Sequence, residues 1–304
     1  MKKFIIITLS IILVALSPVL YLLYTFAFTG PIPDEEFQKN LPSIVKNLEV
    51  KFDGEGEKTL VFIHGYPDSL ELWDKQVEYL KHDYSIARFT LPGFELKDNG
   101  QRPHYNIKQI RTIVDTFIKG LNKEHVTVLA HDWGAVYASH YLEKNDLVDR
   151  LVLFDIGSFG EEKRPDINVK YTFALAVAWT LPEFLGDKLA LYTADKILNI
   201  TDVDPNKTVA DLRSDPRMTY PYWHLWKSVL TKNTIKPVEV ENYGTPFLFL
   251  YGKDKKVWFH AKSWENQVIE SNKGQVEVLP GGHWFMQSSP ELVNQKLSDW
   301  LSAN

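Results

Sequence analysis

The most informative stretch of the sequence is VTVLAHDWGA, residues 126–135, which places an acid where a predicted strand turns directly into a predicted helix. Ala130 and Gly134 stand two positions before and two after Asp132, and such small residues are what the sharp turn called a nucleophile elbow requires. A carboxylate is ionised at neutral pH and needs no base before it attacks. At a saturated carbon it can displace a leaving group and form an alkyl ester. Asp132 is therefore the candidate nucleophile, and an ordinary helix N-cap is the alternative.

An acid and a histidine follow Asp132 along the chain. Asp254 comes shortly after the strand-like run FLFLY, and His283 lies in the loop after the last such run. The carboxyl ends of parallel strands meet at one edge of a sheet, where open α/β sheets place their sites. We therefore predict a triad of Asp132, Asp254 and His283. Asp155, at the end of the run LVLF, is the second candidate for the acid.

The sequence His64-Gly65-Tyr66-Pro67 follows the first strong strand-like run. A turn of this kind presents the backbone N–H of Tyr66 to the same edge of the sheet. Together with the backbone N–H of Trp133 it would form a two-donor oxyanion hole. For the His64 side chain we expect packing within the turn rather than chemistry.

Short β-branched and aromatic runs alternate with amphipathic segments along most of the chain. The runs are apolar on both faces, which is typical of a buried parallel sheet with helices on both sides. The predicted class is therefore α/β with a mostly parallel central sheet. The predicted strands are 59–63, 85–89, 126–130, 151–154, 247–251 and 276–279, and the predicted helices are 73–80, 107–121, 135–144 and 291–301.

Between residues 157 and 240 the strand rhythm stops, and aromatic residues and helix formers are interrupted by prolines. We predict a helical cap inserted into the α/β core. The predicted organisation is then an N-terminal anchor at 1–30, the first part of the core at 31–156, the cap at 157–240 and the second part of the core at 241–304.

Composition excludes several classes of function. The chain has 304 residues and no cysteine, so disulfide scaffolds, thiolate metal sites and a cysteine nucleophile are excluded. Its net charge is -5, from 34 basic and 39 acidic residues, and it has no basic runs of the kind that bind nucleic acid. Neither a metal-ligand cluster nor a dinucleotide or phosphate-loop motif is present, so we expect no metal and no cofactor.

The N-terminal segment from Phe4 to Phe28 contains no charged residue. A helix needs about 20 apolar residues to cross the hydrocarbon core, and the apolar part of a signal peptide is shorter. Lys2 and Lys3 precede the segment and acidic residues from Asp34 onward follow it. The positive-inside rule therefore predicts a single-pass anchor with the catalytic domain on the non-cytoplasmic side.

Residues 47–304 resemble α/β-hydrolases of the epoxide hydrolase and haloalkane dehalogenase branch. The resemblance rests on the HGYP turn at residues 64–67, the HDWG elbow at 131–134, and the acid and histidine that follow. It implies that Asp132 is the nucleophile, that His283 activates the hydrolytic water and that Asp254 holds the His283 ring. It also implies that Tyr66 and Trp133 supply backbone donors.

The resemblance leaves the leaving group open. Epoxide hydrolases polarise the ring oxygen with tyrosines of the cap, and here Tyr222 and Tyr220 are candidates, with Tyr171 or Tyr192 for a second hydroxyl. Trp226 occupies the place where relatives carry an acidic tyrosine before a basic residue. An epoxide is the preferred substrate class.

Two alternatives remain at this point. A haloalkane dehalogenase would use the Trp133 indole for the halide, although Tyr66 stands where a halide-binding asparagine is often expected. A non-catalytic, ligand-binding member of the fold is the third possibility, and the complete predicted triad argues against it. Both the epoxide hydrolase and the haloalkane dehalogenase interpretations imply a small apolar substrate.

We predict that residues 4–28 retain the full-length protein in the membrane during alkaline carbonate extraction, because the uncharged segment is long enough to span the hydrocarbon core. Protease added from the cytoplasmic side should leave the catalytic domain intact. Release of the protein by carbonate, or cleavage of the domain from the cytoplasmic side, would contradict this prediction.

Overall fold

The computed structural model describes residues 17, 20, 21, 24, 25, 29–95, 105–160, 162, 164–213, 215–234 and 236–303. Most of the predicted anchor therefore lies outside the described residues. Among the residues that are described, no helix is both long and apolar enough to cross a membrane. Tyr21, a described residue within the predicted anchor, donates a hydrogen bond from its hydroxyl to the carbonyl of Thr180 at 2.9 Å.

A seven-stranded sheet forms the centre of the described structure, in the order β1-β3-β2-β4-β5-β6-β7. Neighbouring strands are parallel except for β1 and β3, which are antiparallel. The predicted strands are confirmed, with ends that differ by at most two residues, and the edge strand β1 was missed because it is short and only partly buried. The strands are β1 Val50–Asp53, β2 Thr59–Ile63, β3 Ser85–Phe89, β4 Val126–His131, β5 Arg150–Phe154, β6 Phe247–Gly252 and β7 Gly274–Leu279.

Apolar side chains lie on both faces of the sheet, because successive residues of a strand point to opposite sides. In β2, Leu60 and Phe62 pack into one hydrophobic core and Val61 and Ile63 into the other. All four side chains are fully buried. The continuous apolar runs in the sequence are thus explained by two cores that share one sheet.

Helices cover both faces and join the strands. The helix predicted at 135–144 is wrong in its bounds, because α4 begins at Trp133, ends at Ala138 and is followed by a 3₁₀ turn over Ser139–Leu142. The helices are α1 Asp34–Lys46, α2 Asp74–Leu80, α3 Ile107–Gly120, α4 Trp133–Ala138, α5 Asp166–Thr180, α6 Glu183–Tyr192, α7 Ile200–Val203, α8 Tyr220–Leu230, α9 Lys262–Ser271, α10 Phe285–Ser288 and α11 Pro290–Ala303.

Helices α5 to α8 lie between β5 and β6, where the sequence predicts a cap. Helices α5 and α8 pack together, and the stacked rings of Trp179 and Trp223 are 5.1 Å apart. The start of α8 reaches the carboxyl end of β4, where Tyr222 meets the edge of Trp133 at 5.1 Å between ring centroids. This insertion therefore places aromatic residues directly over the predicted nucleophile.

Candidate active site

The turn after β4 has the geometry of a nucleophile elbow. Asp132 has φ 52° and ψ -122°, a strained conformation that non-glycine residues rarely adopt. A Cβ atom at Gly134 would lie 2.5 Å from the carbonyl oxygen of Ile63, and one at Gly65 would lie 2.4 Å from Oδ1 of Asp132. Both positions therefore require glycine, because any larger residue would displace the backbone or the carboxylate.

The Asp132 carboxylate does not cap helix α4, because its side chain makes no capping hydrogen bond. Instead, Oδ1 accepts a hydrogen bond from the backbone N–H of Tyr66 at 2.6 Å. Asp132 also lines a narrow cavity of about 50 Å³ under the inserted helices. The N-cap alternative is thus excluded, and the carboxylate is held with one oxygen fixed by a main-chain donor.

His283 lies between two carboxylates. Its Nε2 atom is 3.7 Å from Oδ2 of Asp132, and its Nδ1 atom is 2.5 Å from Oδ2 of Asp155. The imidazole is buried, and so is Asp155. Nδ1–H therefore donates to Asp155, which leaves Nε2 directed towards Asp132.

The prediction that Asp254 holds the histidine ring is wrong. Asp254 is exposed, and its Oδ2 accepts a hydrogen bond from the backbone N–H of Gly281 at 2.7 Å. The reason is strand register, since His131 of β4 pairs with Phe154 of β5. Asp132 and Asp155 each follow one member of this pair, so they emerge side by side at the edge of the sheet. Asp254 lies two residues beyond the end of β6.

The charges of these groups depend on one another. Burial lowers the pKa of His283, but hydrogen bonds and charge interactions with Asp132 and Asp155 outweigh it and raise the pKa to about 9. Burial raises the pKa of Asp132, and His283 more than compensates, so the net pKa is lowered. The pKa of Asp155 is well below its usual range, because Lys255 and His283 together overcome the effect of burial. At neutral pH the free site therefore contains two carboxylates and one imidazolium.

His64 organises the turn that carries Tyr66. Its Nε2 accepts a hydrogen bond from the backbone N–H of Leu91 at 2.8 Å, and Nδ1–H donates to the carbonyl of Gly65 at 2.9 Å. Burial lowers its pKa to about 4, so the ring is neutral at physiological pH. The expectation that His64 packs in the turn is confirmed. The Tyr66–Pro67 peptide bond that follows is cis.

Only some of the predicted cap residues reach the cavity. Tyr222 and Tyr171 line it together with Asp132 and His283, and the centroids of the two tyrosine rings are 6.1 Å apart. Tyr220 is buried against Phe94 and is not part of the described lining. The remaining two candidates also lie elsewhere: Trp226 donates from Nε1 to the Thr172 hydroxyl at 3.2 Å, and Tyr192 is mostly exposed.

Two buried residues at the site were not predicted from the sequence. The His131 ring packs against His283 with 4.3 Å between the ring centroids and an angle of 43° between the ring planes, and its Nε2 is 3.0 Å from the carbonyl oxygen of His283. Lys255 forms an ion pair with Asp155. His131 lies next to the nucleophile, but sequence position alone does not distinguish it from a packed histidine. Within the described part of the chain, no group of three or more histidine and acidic side chains is arranged to hold a metal ion.

Comparison with known proteins identifies the family of this sequence. The family model described as the alpha/beta hydrolase family matches residues 60–296, which is most of the chain. The chain belongs to the alpha/beta hydrolase family. Within that family it fits the epoxide hydrolase-like branch and is an enzyme of that type.

Individual relatives of this hydrolase are distant. The sequence is 24% identical to epoxide hydrolase 2 of Caenorhabditis elegans over 290 residues, which cover 85% of this chain and 78% of the relative. Potato (Solanum tuberosum) epoxide hydrolase I aligns with a TM-score of 0.60 at 19% identity, covering 85% of this chain and 96% of that structure. A thermophilic esterase from Thermogutta terrifontis aligns with a TM-score of 0.64 at 16% identity, covering 84% and 93% respectively. The structural likeness at these identities shows the shared fold.

The two candidate acids can be compared directly in this hydrolase. We expect Asp155→Asn to lower turnover by about 10³–10⁴-fold, the scale expected when the acid that orients a catalytic histidine is lost. Asp254→Asn keeps an oxygen that can accept from the Gly281 N–H in an exposed loop and should leave turnover nearly unchanged. Steady-state rates, with circular dichroism to verify folding, check both variants. A larger loss in Asp254→Asn than in Asp155→Asn would contradict the assignment of Asp155.

Proposed function

We propose that this protein is an epoxide hydrolase that converts a small apolar epoxide to a diol through an ester on Asp132. The observation that carries the proposal is the arrangement of four groups around one cavity. A carboxylate with one fixed oxygen, an imidazole and two phenols all line it: Asp132, His283, Tyr171 and Tyr222. Relatives named as epoxide hydrolases support this choice of substrate.

In the first step Oδ2 of Asp132 attacks a ring carbon of the epoxide. The carbon–oxygen bond of the ring breaks, and the ring oxygen takes a proton from the phenol of Tyr222 or Tyr171. Oδ1 remains hydrogen-bonded to the backbone N–H of Tyr66 and becomes the carbonyl oxygen of the ester. No base is needed, because the carboxylate is already ionised.

The two phenols are suited to donate a proton at this point. Burial and the charge of Asp132 raise the pKa of Tyr222 and of Tyr171 above the usual value for tyrosine. Both therefore stay protonated beside the ionised nucleophile. Positioned general acids of this kind contribute about 10²–10⁴-fold to a rate.

In the second step the His283 imidazole takes a proton from a water molecule, which attacks the ester carbonyl. Ester formation removes the negative charge of Asp132, so one of the two carboxylates that raise the pKa of His283 is lost. The ring then releases its proton more easily and can act as a base. The bond between the ester carbonyl carbon and the substrate oxygen then breaks, and the imidazolium returns its proton to that departing oxygen, so the diol leaves. The Asp132 carboxylic acid formed by attack of water ionises, and its proton restores the tyrosine.

The cavity and its surroundings support a small apolar substrate. The described lining includes the aliphatic side chains of Leu175, Ala190, Leu198 and Ile200. A neighbouring polar cleft of about 190 Å³ shares Pro67, Leu212 and Trp284 with the cavity. In this proposal the apolar cavity holds the epoxide, and the polar cleft admits water.

Dehalogenation is the second candidate, and it depends on a free indole donor at Trp133. The Trp133 indole packs nearly perpendicular to the Tyr222 ring, with 5.1 Å between the ring centroids, and its interaction with Tyr222 acts to lower the pKa of that phenol. The indole is therefore already engaged by the cap. This pairing favours the epoxide, since it holds a phenol over the nucleophile rather than leaving a donor for a halide.

The proposal is tested by offering the purified full-length protein epoxides, haloalkanes and p-nitrophenyl esters side by side. We expect diol release from epoxides. Halide release would favour the dehalogenase, and ester cleavage alone would contradict both.

With an active epoxide, Tyr222→Phe should slow formation of the ester by about 10²–10⁴-fold, because the departing oxygen loses a proton donor. Tyr220→Phe, two residues away but outside the described lining, is the matched control and should be close to the unmodified enzyme. Rapid-quench kinetics measures the step. An unchanged rate in Tyr222→Phe would remove Tyr222 from the mechanism and leave Tyr171 as the donor.

A further inference from the structure

A buried lysine touches the acid of the triad. The side chain of Lys255 has no exposed surface, and its ammonium group forms an ion pair with Oδ1 of Asp155. The other oxygen of the same carboxylate, Oδ2, is hydrogen-bonded to Nδ1 of His283. Asp155 is therefore held between the Lys255 ammonium group and the catalytic histidine. The reaction steps described above use only the contact with the histidine.

The rest of the Lys255 environment is mostly aromatic. The ammonium nitrogen lies 5.8, 5.2 and 5.6 Å from the ring centroids of Tyr251, Trp258 and Phe259, distances at which a cation is attracted to an aromatic face. Burying a lysine in such surroundings is costly unless its charge is paired. The ion pair with Asp155 meets this requirement, so the position of the carboxylate and the charge of the lysine depend on each other.

The loop after β6 thus contributes a cation instead of an acid. Asp254, which the sequence singles out as the acid, points to Gly281, and the next residue reaches Asp155. The carboxylate and its lysine come from the loops after neighbouring strands, β5 and β6.

We propose that Lys255 is a positioning residue for the proposed hydrolysis. Its ammonium group fixes the Asp155 carboxylate towards His283, and its positive charge lets the imidazole give up its proton and activate water. This inference rests on the proposed function for the step that it assists, but the position and the charge of Lys255 are properties of the free protein.

The charges around His283 explain why a cation is useful there. The imidazole faces Asp155 from the loop after β5, Asp132 from the elbow and the tilted ring of His131. It also interacts electrostatically with Asp68, which directly follows the HGYP turn. Asp204 and His260 interact electrostatically with Lys255 itself. Without the lysine, the full negative charge of Asp155 would oppose release of the proton from His283.

The free protein offers a direct measurement. Asp132→Asn imitates the neutral ester, and asparagine tolerates the positive φ of this position better than most residues. In full-length protein labelled with ¹⁵N-histidine, we expect Lys255→Met added to Asp132→Asn to raise the pKa of His283 by about 1–2 pH units, the scale of a close charge. Lys256→Met, which removes an exposed neighbouring lysine paired with Asp202, is the control and should leave that pKa unchanged.

Kinetics supplies the second measurement, in the Lys255→Met single variant with an active epoxide. The ester should form at nearly the normal rate. The rate of ester hydrolysis falls at low pH, where His283 is protonated, and the pH at which it falls should rise by the same amount as the pKa of His283. A purely structural lysine would instead lower both rates together with no shift in pH. That result, or an unchanged pKa of His283, would overturn the proposal.

Chemical rescue covers the case in which Lys255→Met does not fold. The chain has no cysteine, so Lys255→Cys can be aminoethylated selectively in denaturant and refolded, which restores an ammonium group at this position. Recovery of the normal pH profile by aminoethylation supports the proposal, and an unchanged profile before and after it contradicts the proposal. If the unmodified enzyme turns over no epoxide, the proposed function fails, while the titration of His283 still decides the role of Lys255.

Discussion

The central physical constraint in this structure is the placement of one buried imidazole between two carboxylates that follow adjacent parallel strands. Register alone brings Asp132 and Asp155 together, because each directly follows one member of the pair His131 and Phe154. Both acids leave their strands at positive φ, 52° and 66°, which turns the chain sharply at the edge of the sheet. The rest of the fold serves this arrangement: the two cores keep the sheet rigid, glycines at positions 65 and 134 clear space around the elbow, and the loop after β7 delivers His283.

The charges around His283 then determine when in the reaction this residue can act as a base. Two carboxylates hold His283 as an imidazolium in the free protein, where the nucleophile needs no base. In the proposed cycle, esterification of Asp132 removes one of these charges at the moment when a base is required. Lys255 offsets the charge of Asp155, and the raised pKa values of Tyr171 and Tyr222 keep both phenols protonated in the cavity that Asp132 lines. The same buried environment therefore supports an anion, a cation and neutral phenols within one cavity.

Sequence reasoning predicted the sheet, the elbow and the histidine, because these depend on local patterns: apolar runs, small residues around Asp132 and turn residues after strands. It failed at the acid, since the choice between Asp155 and Asp254 depends on strand register and on the path of a loop, which the sequence does not display. The sequence also does not reveal which residues of the cap reach the cavity. Tyr220 and Tyr222 are two residues apart on one helix, and only the packing of α8 against α5 directs Tyr222 into the cavity and Tyr220 towards Phe94. Nothing in the sequence indicated that Lys255 is buried at the site, because a lysine after a strand is usually exposed.

The central claim is that Asp132 carries a covalent ester which His283 is needed to hydrolyse. Intact-protein mass spectrometry of the His283→Gln variant tests it most directly, with an epoxide that the unmodified enzyme turns over. The account predicts a mass increase equal to one substrate molecule, mapped by peptide analysis to Asp132, because attack needs no base and hydrolysis does. Normal turnover by the variant, or the absence of any adduct on Asp132, would contradict it.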